Sequence, residues 1–64
     1  NSLEAYDVAE KARELLFPPT DAIRLQSALN LFKQAIVLDE SYFGGYAGAA
    51  QVLAFMEFFK PKKV

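Results

Sequence analysis

Sixty-four residues allow one small domain, and a chain this short buries only about 60% of the surface that it exposes when unfolded. Hydrophobic residues make up 53% of it, which excludes a disordered chain and leaves apolar surface to be used outside the fold. Seven basic residues against eight acidic ones give a net charge of −1, so no cationic excess is present for a run of phosphates, and nucleic acid is excluded as an expected partner.

The first predicted element covers 2–17. Leu3, Ala5, Tyr6, Val8, Ala9, Ala12, Leu15 and Leu16 recur at helical spacing, with charged residues between them. Asn1 or Ser2 can cap its start, and Asn1 with Glu4 has the spacing of a capping box. Asp7 and Lys11 form an i,i+4 pair of favourable polarity. Phe17-Pro18-Pro19 ends the helix, because proline lacks an N–H and pushes its predecessor out of the helical region.

The second element is predicted over 20–39, with Thr20 as N-cap and Asp21 in the first turn. Ile23, Ala28, Leu29, Leu31, Phe32, Ala35, Ile36 and Leu38 form its core stripe. Asp39-Glu40-Ser41 interrupts the pattern, and Ser41 can cap the next helix. No segment alternates as a strand would, and no hairpin turn pair is present. The expected fold class is all-α, with three antiparallel helices in one domain.

The third element, predicted over 42–59, is unusual. Apart from Gln51 and Glu57, every position from Tyr42 to Phe59 is apolar, small or aromatic. A helix that is hydrophobic all round is covered all round, and two preceding helices cannot surround a third. Its free side is expected to meet another copy or another protein. Lys60, Lys62 and Lys63 come after it, where cations complement the helix dipole.

Ala28-x3-Phe32 followed by Ala35 resembles the second-helix signature of the tetratricopeptide repeat. There the small residue lets two helices approach, and the aromatic one fills the space beside it. Eighteen positions after Ala28, Tyr46-x2-Ala49-Ala50-x2-Leu53 resembles the first-helix signature of the next repeat. Four features depart from the pattern: Glu40 replaces the turn proline, Leu53 replaces a tyrosine, Lys11 sits where the first helix should have a leucine, and the connection at Pro18-Pro19 is elongated. The resemblance covers about one and a half of the repeats of about 34 residues. It implies a helical hairpin plus one additional helix, and a protein-binding role. Such repeats need neighbours, with about three the usual minimum, so the unpaired third helix again calls for a partner.

Several chemistries lose their support in the composition. With no His the commonest general base and metal ligand are missing, and with no Cys there is neither a disulfide nor a thiolate site. Glu10 and Glu14 sit one turn apart, but di-metal bundles with that spacing also use histidines. No catalytic residue, metal or cofactor is expected. Gly44, Gly45 and Gly48 come after no strand and precede no Lys-Ser/Thr, so they read as small packing positions rather than a phosphate loop. A membrane role is disfavoured by Gln51, Glu57 and the three glycines. No basic-then-apolar leader opens the chain, so the expected location is cytoplasmic.

The expected function is protein–protein interaction, with self-association through the third helix and a homodimer as its first form. Tyr46, Val52, Phe55, Met56 and Phe59 are the expected anchors. One alternative is a groove for a partner peptide, within a fragment of a larger repeat scaffold or regulator, and a second, disfavoured one is a membrane-associated helical protein. The resemblance implies a lining of Tyr6, Ala9, Glu10 and Arg13 from the first helix, with Ala47, Gln51, Ala54 and Phe55 from the third. Arg13 would then face a carboxylate, and Tyr6 or Phe55 an apolar side chain.

Overall fold

A computed structural model of the chain describes residues 2–18 and 20–58. It contains three helices, α1 (Ser2–Glu14), α2 (Ala22–Leu38) and α3 (Phe43–Phe58), and no strand among the described residues. The expected all-α, three-helix fold is what the chain forms.

α1 stops three residues earlier than its apolar pattern. After Glu14 the backbone tightens to i→i−3 bonds, from Leu15, Leu16 and Phe17 N–H to the carbonyls of Ala12, Arg13 and Glu14, the usual way a helix end satisfies its last carbonyls. Two side chains complete that end. Thr20 Oγ1 donates to the Leu15 carbonyl at 3.0 Å, and Arg24 donates to the Glu14 carbonyl at 3.4 Å. Thr20 is therefore not the N-cap of α2. Asp21 takes that role, accepting from Arg24 N–H at 2.8 Å with extended backbone.

Asp39 ties the other end together. Its N–H closes α2 on the Ala35 carbonyl at 3.0 Å, and its carbonyl accepts from Tyr42 N–H at 3.1 Å. Its carboxylate accepts from the Ser41 N–H at 2.9 Å and the Ser41 hydroxyl at 2.6 Å, and from the hydroxyl of Ser2 at the start of α1. Ser41 thus serves the turn as a donor to Asp39 rather than as a cap of α3. With Ser2 beside Asp39, α1 and α2 run antiparallel.

The core is built from small residues against large ones. α1 buries Ala5, Ala9 and Ala12, one face at i, i+4 and i+7. α2 buries Leu25, Ala28, Leu29, Phe32 and Ala35, and α3 contributes Gly45, Gly48 and Val52. Gly45 lies against Ile36 and Ala35, and Gly48 lies directly against the Phe32 ring. These pairings run in opposite senses along the chain, so α3 is antiparallel to α2. The glycines are thereby assigned to packing within the chain.

Candidate functional site

The face of α3 turned towards α2 fixes the face turned away from it. At about 3.6 residues per turn, Gly45, Gly48 and Val52 share the inward side, while Phe43, Tyr46, Ala47, Ala50, Leu53, Ala54, Glu57 and Phe58 lie on the other half of the helix and are exposed. Four large side chains dominate this outer surface: Phe43 is 77% exposed, Tyr46 47%, Leu53 54% and Phe58 86%. Apart from Glu57, the exposed side chains on this half of α3 are apolar.

The expected anchors fall into three groups. Tyr46 is on the outer face. Val52 is fully buried within the chain, so it belongs to the core and has no free surface to offer a partner. Phe55 and Met56 are half-buried and pack against the core from its edge. Phe59 lies outside the described residues. Phe43, Leu53 and Phe58 are outer-face residues that the sequence pattern does not single out. A helix apolar on every side gives no phase, and only the glycine contacts with α2 reveal it.

A second surface forms where α1 and α3 lie side by side. A cleft of about 220 Å³ is lined by Arg13, Leu16, Phe17, Gln51 and Phe55. Three residues of the expected groove, Arg13, Gln51 and Phe55, are thus brought together. Ala9 is fully buried and lines nothing, while Ala47 and Ala54 lie on the outer face of α3. Glu10 pairs with Arg13 one turn along α1. Tyr6 stands against Tyr42 edge to face, with ring centroids 6.2 Å apart and planes at 69°, a favoured aromatic geometry. Tyr42 also accepts a hydrogen bond from Arg13, which with Glu10 raises the guanidinium pKa above its usual value against some desolvation. Arg13 is therefore a held cation at the rim of a mostly apolar cleft. Tyr42 is the member of this cluster that the groove pattern omits, because it precedes α3 in the turn.

Among the described residues Asp39 is the one carboxylate displaced strongly from its ordinary range. The Ser2 hydroxyl, then the Ser41 hydroxyl and N–H, stabilise its charged form and bring its pKa down to about 2. That is a structural tie between helix ends. Among the described residues no group of three or more His, Cys, Asp or Glu gathers as a metal site. No helix among them is long and apolar enough to cross a membrane. No protein-family model, curated protein or solved structure matches the chain.

Proposed function

We propose that the chain is a protein–protein interaction module that self-associates through α3, built on a tetratricopeptide-like hairpin. The observation that carries this reading is the outer face of α3, where Phe43, Tyr46, Leu53 and Phe58 remain exposed beside an alanine surface. Burying such area is the main favourable term in association. Two packing features support the repeat-like part. Phe32 seats on the α3 backbone at Gly48 with Ala28 and Ala35 buried beside it. Of the positions resembling a first-helix signature, Tyr46, Ala50 and Leu53 face away from α2, as they would toward a second helix of their own, while Ala49 packs against the core. The proposed module is not an enzyme and needs no cofactor.

The test is sedimentation velocity on the wild type and on Leu53→Asp. The aspartate sits on an exposed position, so helicity should be kept while association weakens by at least about tenfold, since a buried unpaired charge costs well over 1.4 kcal/mol. Equal sedimentation of the two proteins would contradict the proposal.

One observation favours a second reading. The cleft holding Arg13, Gln51 and Phe55 is sized for one side chain of a partner peptide, with Arg13 placed for a carboxylate. In that reading the chain is a piece of a larger scaffold. Arg13→Ala would weaken peptide binding and leave self-association unchanged.

A further inference from the structure

We infer that Tyr42, seated on Gly44, is a positioning residue for Arg13: it fixes the guanidinium at the rim of the α1–α3 cleft, to meet the carboxylate of an apolar peptide residue. This inference rests on the second reading above, in which the cleft takes one residue of a partner peptide, and it names the group that makes the cleft selective. Arg13 is the only charged residue among the five described residues that line the cleft, beside Leu16, Phe17, Gln51 and Phe55. That lining matches an occupant with an apolar body and one anionic end. An arginine side chain has many rotamers, and freezing them opposes binding unless they are ordered beforehand.

Two neighbours order Arg13 in the free chain. Glu10 pairs with it one turn away on α1, so it moves with Arg13 and fixes nothing relative to α3. Tyr42 comes from the turn before α3, and its hydroxyl accepts from the guanidinium across the gap between the helices. Only this bond ties Arg13 to the side of the cleft that carries Gln51 and Phe55. Tyr42 is itself held at three places. Its N–H donates to the Asp39 carbonyl at 3.1 Å, and its ring stands edge to face with Tyr6, with centroids 6.2 Å apart. The hydroxyl end of the ring lies so close to Gly44 that a Cβ there would overlap Cζ, Cε2 and the hydroxyl oxygen. Gly44 lies in the first turn of α3 with ordinary helical backbone, so what the glycine supplies is the seat for the ring. Alanine at this position meets the far end of a flexible side chain and no core residue. It should therefore withdraw the hydroxyl from Arg13 and leave the packing of α3 on α2 intact.

The test is an NMR titration with two probes, N-acetyl-leucine, which has a free carboxylate, and N-acetyl-leucinamide, which lacks it. Binding is followed at the side-chain amide of Gln51, and circular dichroism checks that each variant is folded. The quantity read is the ratio of the two affinities. A change in the shape of the cleft moves both probes together and leaves the ratio alone, whereas a misplaced guanidinium lowers it. The wild type should prefer the acid, and Arg13→Ala should remove that preference. Tyr42→Phe and Gly44→Ala should each lower it by about three- to tenfold, the equivalent of one hydrogen bond. The double variant should lose no more than either single one, because both act on the same bond. An Arg13-dependent preference that survives in both single variants would overturn the inference and leave the cleft reading standing. Losses that multiply in the double variant would separate Gly44 from Tyr42 and overturn the seat. A wild type with no preference for the acid would overturn the cleft reading and the inference together.

Discussion

Gly48 is the residue that the fold can least exchange. A Cβ there would overlap the Phe32 ring atoms Cδ1, Cε1 and Cζ, and that ring is fully buried with little room to turn. Overpacking of this kind costs about 1–3 kcal/mol, which exceeds the roughly 0.5–1 kcal/mol that alanine gains over glycine in a helix. Gly48→Ala should therefore lower the urea midpoint. Gly45→Ala meets Ile36 Cγ1 at 3.0 Å and the Ile36 backbone nitrogen at 3.3 Å, so its smaller strain and its helix gain nearly cancel. A midpoint for Gly48→Ala at or above the wild type would refute the close approach of α3 to α2.

Asp39 is the residue through which pH acts on the fold. Its carboxyl lies at about 2 in the folded chain, held down first by the Ser2 hydroxyl and then by Ser41, against about 3.9 when unfolded. A depressed carboxylate binds its proton more readily in the unfolded state. Its contribution is therefore complete above the unfolded value and is lost as pH falls from there towards 2. The urea midpoint should drop across that window, and Asp39→Asn should flatten the drop. An unchanged pH profile in the variant would show that the Ser2–Asp39–Ser41 tie does not contribute to stability.

The helices as elements were legible because their apolar residues recur at a period of 3.6, and the Ala28-x3-Phe32 spacing marked the right pair of packing residues. Their ends were less legible. Leu15, Leu16 and Phe17 continue the apolar period of α1, yet the backbone there turns with i→i−3 bonds. Thr20 and Asp21 are both good caps, and only the position of the Leu15 carbonyl decides between them. Asp21→Ala should consequently cost about 0.5–2 kcal/mol in thermal or urea unfolding. The outer face of α3 was legible in kind but not in phase. Hydrophobicity placed Val52 with the anchors, whereas the contacts of Gly45 and Gly48 with α2 turn Val52 inward and Leu53 outward. Tyr42 was missed because no spacing within the sequence brings it to Tyr6 and Arg13.

The whole molecule has a small core. Among the described residues the largest fully buried side chains are Phe32, Leu25 and Val52, and the rest of the fully buried positions are mainly alanines. A single chain of this size is marginally stable, while α3 keeps a large apolar surface outside. Association that buries this surface must also stabilise the fold, since a partner that binds only the folded state shifts the folding equilibrium. The thermal midpoint should therefore rise with protein concentration for the wild type and not for Leu53→Asp. A midpoint independent of concentration in both proteins would separate stability from association.

The most direct test of self-association is the solution mass of the wild-type chain by size-exclusion chromatography with light scattering, across a concentration series. The proposed α3 pairing predicts a mass of twice 7.1 kDa that falls towards the monomer on dilution. A folded protein that stays at 7.1 kDa at every concentration would contradict it.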